Sequence, residues 1–291
     1  MLRELGANDF LALTAAYRRA DPIATNQIAS FAVAATDGIW PGTESRFWAV
    51  LEGDDVTGIA MFTPSRGVLL STSVAPADAR TLGHDLASSI DGIVLFITGS
   101  LASVQAFIEA YTRAHPRKVE AHWKEDLILY ALDDDLNVDS RRFQGRMRLA
   151  NATTDFELLV KWIQAFDEYI KAPPRDETFV EKGLKRQSLF IWEVEGVPVA
   201  FAGHSPAVKL ENETVVRLGP IYADASHRRK GYGSALTAAV SRHLQETTST
   251  PTRVCLFADA SNPASNKAYQ NVGFVMHNRS TRFGLRAAEE P

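Results

Sequence analysis

Apolar side chains recur along this chain with two alternating periods, and the switches between them mark its predicted elements. In the first half Asp9 to Arg19 has helical spacing. Strand-like runs follow at Phe47–Leu51, Gly58–Phe62 and Val68–Ser73, the first two joined by the turn-forming Glu52-Gly53-Asp54-Asp55. Leu, Val, Ile and Phe then return at helical spacing over Ala77–Ile90 and Leu101–His115. The apolar run Ile93–Thr98 lies between these helices, and extended segments Val119–Trp123 and Leu127–Ala131 come after.

The second half repeats that order. Arg146–Leu149 reads as a strand and Thr154–Ile170 as a helix begun by Thr153 or Thr154, with Leu158, Leu159, Trp162, Ile163 and Phe166 on one face. A short helix over Glu177–Lys185 precedes strands Leu189–Val194 and Val197–Gly203, joined by Glu195-Gly196. Strand Val215–Tyr222, helix Gly233–Glu246, strand Arg253–Ala258, helix Ala264–Asn271 and an extended pair over Phe274–Phe283 complete the chain. Strands alternating with helices predict an α/β fold, and two halves of like order predict a tandem duplication. Asp133-Asp134-Asp135-Leu136-Asn137-Val138-Asp139-Ser140 repels itself and cannot enter a core, so it is the linker expected between domains 1–139 and 140–291.

Composition narrows the classes. At 291 residues, 45% apolar and 23% charged, the chain is an ordinary globular one and neither fibrous nor wholly disordered. Cys255 is the single cysteine and no Cys/His cluster has zinc spacing, so a metal-free protein of a reducing compartment is expected, with the cytoplasm as its address. The charge-free run Gly92–Ile108 is broken by Gly99, Ser100, Ser103 and Gln105, and MLRELGANDF has no continuous apolar core, so neither a membrane span nor a signal segment is expected. With 31 basic and 35 acidic side chains there is no reason to expect a nucleic-acid partner. The sign is unevenly spread, with 10 basic and 19 acidic residues over 1–139 against 21 and 16 over 140–291, so an anionic ligand is expected in the second half.

One segment there is built for such a ligand. Val215 to Leu236 runs from a strand through Arg228-Arg229-Lys230-Gly231-Tyr232-Gly233-Ser234 into a helix. That junction presents unpaired N–H groups and the positive end of the helix dipole, and two glycines let the backbone approach a phosphate. Gly233 is followed by Ser-Ala-Leu, so no Walker loop is present, and Leu236 stands where a dinucleotide fold needs its third glycine.

Arg228-x-x-Gly231-x-Gly233 resembles the pyrophosphate loop of the GNAT N-acetyltransferase superfamily. Asn262-Pro263-Ala264-Ser265-Asn266-Lys267-Ala268-Tyr269-Gln270-Asn271-Val272-Gly273-Phe274 is similar to that family's second signature, over a resemblance running roughly from Arg146 to Leu285. The resemblance implies tandem GNAT-like folds with a mixed α+β sheet in which strands 215–222 and 253–258 splay apart. It implies acetyl-CoA as acyl donor, its pantetheine arm on the backbone of Ile221 and Ala223 and its pyrophosphate on Arg228, Arg229, Lys230, Gly231, Tyr232, Gly233 and Ser234. Asn266 would also touch the donor, Tyr269 would protonate the departing thiolate, and the acceptor would be an amine attacking the thioester directly. Strand Val215–Ile221 carries no carboxylate, which leaves Glu193, His204 and Asp259 as candidates for a base. Ser73 to His84 has no basic Gly-x-Gly turn, so the first half is expected to be a copy that has lost donor binding.

Plainer readings stand beside these. Tyr269 is equally a core phenol, Asn262 and Asn266 are turn and cap residues, and Cys255 is a small buried hydrophobe. Asp167, Glu168, Asp176, Glu177 and Glu181 read as a solvated helix face before they read as an amine-attracting cluster. Trp40, Trp48, Trp123, Trp162 and Trp192 are expected in the core or at a domain interface. A non-catalytic acyl-CoA sensor or an interaction scaffold is the alternative function.

Overall fold

A computed structural model describes residues 1–38, 45–132, 136–172 and 174–288; Trp40 and the aspartates of the expected linker, 133–135, lie outside them. The chain divides into two compact units. One holds Met1–Leu129, Asp259–Ser261 and the C-terminal segment from His277; the other holds Tyr130–Ala258 and Asn262–Met276. The chain crosses from one unit to the other more than once.

The first unit is built from β1 (Leu2–Leu5), α1 (Ala7–Leu13), α2 (Ala15–Ala20), α3 (Pro22–Thr36), β2 (Arg46–Glu52), β3 (Asp55–Thr63), β4 (Gly67–Leu70), α4 (Pro76–Ser89), β5 (Phe96–Gly99), α5 (Leu101–Ala114) and most of β6 (Val119–Leu132). Alternate residues of β2 and β3 face opposite sides and both sides are covered. Trp48, Val50, Ala60 and Phe62 pack on Leu82, Leu86, Phe107 and Tyr111 of α4 and α5. Phe47, Ile59 and Met61 pack on Phe10, Ile28 and Ala32. The periodicity missed α3, because Ile23, Thr25, Asn26, Ile28, Ala29, Ser30 and Ala32 are all buried and leave no polar stripe to give it away. Asp21 caps this helix, accepting from the Ala24 N–H at 2.9 Å, with Pro22 in its first turn.

The second unit continues with β7 (Arg146–Leu149), α6 (Phe156–Tyr169), α7 (Glu177–Lys185), β8 (Leu189–Val194), β9 (Val197–His204), β10 (Val208–Lys209), β11 (Thr214–Ala223), α8 (Tyr232–Thr247), β12 (Thr252–Asp259), α9 (Pro263–Val272) and the start of β13 (Phe274–Ala287). Its strands run β12-β11-β9-β8-β7, with β10 on β11; those of the first unit run β1-β2-β3-β4-β5-β13-β6. In each, one crossover helix joins a parallel pair, α4 between β4 and β5 and α8 between β11 and β12. Both units thus run from a first strand through helices and antiparallel strands to a helix-crossed parallel pair, but the first has three helices before β2 while the second has two before β8 and the extra strand β10.

Two expectations change in detail. The paired segments at 119–131 and 274–283 are single continuous strands, since the charges that seemed to break them are matched across the first unit. Arg282 pairs with Glu125, Thr281 donates to Asp126 at 2.8 Å, and Arg286 pairs with Glu120 at 2.9 Å. Helix α6 starts two residues later than expected, because Asn151 turns back on the N–H groups of Thr153 and Thr154 at 2.8 and 3.3 Å.

At that start Asp155, 2% exposed, receives Arg148 in a two-pronged pair at 2.6 and 2.9 Å and the Asn151 N–H at 2.6 Å, while Arg148 also reaches Glu193 at 2.7 Å. Burial pushes the Asp155 carboxyl up, and the Arg148 bonds with the Asn151 N–H overcome it, so the net shift is downward. A carboxyl lowered by folding contributes stability that is complete above its unfolded value and lost as the pH falls through its folded one. Asp155→Ala strands a guanidinium and is expected to cost about 3–5 kcal/mol in denaturant unfolding. It is also expected to flatten the loss of stability on acidification that the parent protein shows.

Candidate active site

The site begins where two parallel strands part. Strand β11 pairs with β12 from Thr214↔Thr252 to Leu218↔Leu256, and there the ladder stops although β11 runs on to Ala223 and β12 to Asp259. On its other edge β11 stays with β9, but Leu218 faces His204 and Ile221 faces Ala202, so β11 carries one extra residue. Such a bulge bends its strand. Gly219 sits in it at φ +141, a backbone state that side chains rarely allow. Ile221 and Ala223 lie beyond the bulge, half-buried, on the stretch that β12 no longer accompanies.

Beyond Ala223 the chain is set for an anion. Asp224 accepts from the Ser226 N–H at 3.0 Å and from Trp162 Nε1 at 3.4 Å, and the Ser226 hydroxyl holds its carboxyl below the usual range. Arg229 at φ +62 and Gly231 at φ +80 alternate with residues of ordinary φ, a sequence that turns successive N–H groups to one side. The first bond of α8 runs from the Ala235 N–H to the Gly231 carbonyl at 2.9 Å, so the N–H groups of Tyr232, Gly233 and Ser234 precede the helical ladder. A Cβ on Gly231 would come within 2.4 Å of the Phe143 ring; one on Gly233 would stand in open space. Tyr232 has its side chain packed inside, leaving only its backbone to the loop.

The three basic residues are exposed but not alike. Arg228 folds back over the surface: its Nε donates to the Ala223 carbonyl at 3.2 Å, and its guanidinium carbon lies 5.8 Å from the ring centre of Tyr169 and 5.5 Å from that of Tyr222. Arg229 and Lys230 follow it in the loop.

Helix α9 closes the other side. Asn262 caps it through the Ser265 N–H at 3.1 Å, with Pro263 in its first turn, as expected. Asn266 gives its amide N–H to the Asn262 carbonyl at 2.7 Å and takes the Tyr130 hydroxyl on Oδ1 at 3.1 Å, which fixes the side chain as a brace. Tyr269 is half-buried, its ring 6.3 Å from both Tyr130 and Phe274, and its hydroxyl makes no hydrogen bond among the described residues. Burial first, and the Tyr169 phenol second, push the Tyr269 phenol up to about 12.

Tyr169 is the residue that pattern reading missed. It ends α6 with 57% of its surface exposed, accepts from Asn262 Nδ2 at 2.8 Å, and stacks on Arg228. One side chain therefore joins the residue that follows β12 to the loop that follows β11. Nothing at residue 169 announces this, because its partners are 59 and 93 positions away in the chain.

The candidate bases are occupied. Glu193 is paired with Arg148 at 2.7 Å and Arg146 at 3.5 Å, and Arg148 holds its carboxyl low. Burial pushes the His204 imidazole down, and its Nδ1 meets the Ser205 carbonyl at 2.8 Å. Asp259 belongs to the first unit, where it binds the Ser261 N–H at 2.7 Å. Cys255 is buried, its thiol pushed up to about 12 by desolvation, an inert hydrophobe as expected. Asp167 corrects the reading of a solvated acidic face: it is 1% exposed and clamps Arg175 at 2.5 Å, whose guanidinium also lies over Phe166 and Phe179. Among the described residues no group of His, Cys, Asp and Glu is placed to hold a metal, and no helix is long and apolar enough to cross a membrane.

A parallel pair thus parts in front of a basic, glycine-bearing helix start. Residues 156–274 match the model of the acetyltransferase (GNAT) family. Solved structures extend the likeness to the whole chain. A GNAT-family acetyltransferase from Colwellia psychrerythraea is 16% identical, covering 98% of this chain and 100% of its own, at a TM-score of 0.57. A Drosophila protein is 12% identical with 97% and 98% covered at 0.64. A tandem GNAT protein from the clavulanic acid biosynthesis pathway is 13% identical with both chains fully covered at 0.54, and at these identities what is shared is the fold. No curated protein sequence matches this chain.

The two glycines of the loop differ in what their backbone demands. Gly231→Ala is expected to lose about 1–2 kcal/mol of stability for its left-handed backbone, with a further loss from displacing Phe143. Gly233→Ala, whose Cβ meets open space, is expected to keep or raise the melting temperature in thermal unfolding.

Proposed function

We propose that the second unit is an acetyl-CoA-dependent N-acyltransferase acting on an amine by direct attack. The observation that carries this reading is the end of the β11–β12 ladder at Leu218/Leu256, directly before a loop whose N–H groups precede the ladder of α8. The bared edge of β11 at Ile221 and Ala223 suits an extended, amide-bearing arm, which adds to it as a further strand would. The N–H groups from Arg229 to Ser234, with Arg228 and Lys230 beside them, suit a pyrophosphate. Asn266 acts as the brace of α9 and holds Tyr269 in position.

The amine nitrogen attacks the thioester carbonyl carbon; the C–N bond forms, the C–S bond breaks, and the sulfur takes a proton. Tyr269 is the donor of that proton. A phenol held at about 12 keeps its proton throughout the neutral range, and its hydroxyl has no competing partner among the described residues. The proton released by the attacking amine leaves through water, since Glu193 is spent on Arg148. The family match supports an acyl-CoA donor and an amine acceptor.

In the first unit α4 begins with Pro76 and carries Asp78 in its first turn, with no basic residue there. Such a start repels a pyrophosphate, so donor binding is assigned to the second unit alone.

Calorimetric titration with acetyl-CoA, followed by an amine screen, tests the reading. Saturable micromolar binding with turnover supports it, binding without turnover on any amine points to an acyl-CoA sensor, and no binding at millimolar donor overturns it. Tyr269→Phe is expected to lower kcat between about a hundredfold and ten-thousandfold while leaving the acetyl-CoA Kd unchanged. With the parent protein, no alkaline loss of kcat attributable to Tyr269 is expected below about pH 10.

A further inference from the structure

Arg228 is the first basic residue of the loop, yet it folds back over the surface. Its Nε donates to the Ala223 carbonyl at 3.2 Å, and its guanidinium lies between two phenol rings, 5.8 Å from Tyr169 and 5.5 Å from Tyr222. Both distances are within the range in which a cation is drawn to the negative face of a ring. Each wall is held from behind. Tyr222 packs against Trp162 and Phe201 at 6.1 and 6.2 Å, and Tyr169 is pinned by Asn262 Nδ2 at 2.8 Å. Two ring faces and one carbonyl oxygen therefore form a niche for a cation, and the cation now in it belongs to the chain itself. The Asp224 carboxylate, four residues before Arg228, adds negative charge to the same loop.

Arg228 also stands in the loop to which the pyrophosphate is assigned under the proposed function. A pyrophosphate, with one negative charge on each of its two phosphates, attracts a guanidinium more strongly than two ring faces and one carbonyl do. Drawn to the phosphates, Arg228 would leave the niche and free the Ala223 carbonyl. A second cation can then enter with no net change of charge beside Asp224.

We propose that the faces of Tyr169 and Tyr222 form an acceptor subsite for a cationic group carried by the amine substrate in addition to the nitrogen that is acylated, the Ala223 carbonyl being left to the donor's arm. The acceptor is thus a diamine or another amine bearing a second positive charge, and Tyr169 and Tyr222 are specificity residues. This inference rests on the acyltransferase reading for its biological meaning, but the niche can be probed without turnover.

The test is a calorimetric titration with choline and with its uncharged isostere, in which carbon replaces the quaternary nitrogen. In Arg228→Ala, which empties the niche at an exposed position, choline is expected to bind roughly tenfold more tightly than the isostere. That preference is expected to survive in Arg228→Ala with Tyr169→Phe, which keeps the ring, and to vanish in Arg228→Ala with Tyr169→Leu. In the parent protein saturating CoA is expected to strengthen choline binding. Where turnover is measured, kcat/KM of the parent protein is expected to favour a linear diamine over the amino alcohol of equal length by a similar factor. Equal binding of choline and its isostere in Arg228→Ala, or an undiminished preference with Tyr169→Leu, overturns the inference. Failure of CoA to bind the parent protein overturns the acyltransferase reading instead, and the Arg228→Ala titration still decides the niche.

Discussion

Two strands that pair over five residues and then separate leave hydrogen-bonding groups along their inner edges, and those groups must find partners in water, in side chains or in a ligand. The parting of β11 and β12 after Leu218 and Leu256 creates that situation at the heart of the second unit. It follows from the one-residue bulge about Gly219, because β9 holds the outer edge of β11 in place while the extra residue changes its direction. Everything with chemical capacity in this unit is arranged about the opening. The loop and start of α8 stand at the end of β11, α9 at the end of β12, and Tyr169 between them.

Charge is distributed around the opening in a way that favours exchange over permanent pairing. The structural ion pairs are two-pronged and well buried, as Arg148 with Asp155 and Arg175 with Asp167, and they fix β7 and the connection between α6 and α7. Arg228, by contrast, has among the described residues one hydrogen bond to a carbonyl and two ring faces, and no carboxylate partner. Interactions of that kind are worth less and are more easily traded, which suits a residue at the point where an anion would arrive. The hydrogen-bonded series Tyr130, Asn266, Asn262, Tyr169 gives the opposite wall its rigidity, so that Tyr269 is carried on a braced helix.

The two units share a helix-crossed parallel pair and differ where chemistry is concerned. In the first, β4 and β5 are parallel as β11 and β12 are, but the helix between them begins at a proline behind Ala75 and has no basic loop before it. Its residues at the equivalent strand end are hydroxyls tied to one another, Tyr17 to Ser71 and Ser73 at 3.0 and 2.6 Å. The same architecture thus carries a basic, glycine-bearing loop in one case and a cluster of uncharged hydroxyls in the other.

Elements whose signals are local could be read from the chain alone: the alternating strands, the amphipathic helices, the cap at Asn262 and the glycine-bearing loop before α8, each set by a period or by backbone freedom within a few residues. The repeat of their outline in both halves could be read for the same reason. Helix α3 could not, since burial on nearly all sides removes the polar face that marks a helix. The continuity of β6 and β13 was also hidden, because charges that look like a break in one strand are matched only by the residues of another. Tyr269 and Asn266 could be picked from their motif, but the half-burial of the one and the bracing of the other depend on Tyr130, 136 residues before Asn266. Tertiary structure alone decided that Asp167 is clamped inside, that Arg228 folds back over the surface, and that Tyr169 spans the opening. These are pairings between residues far apart in the chain, and a single sequence carries no periodicity that links them.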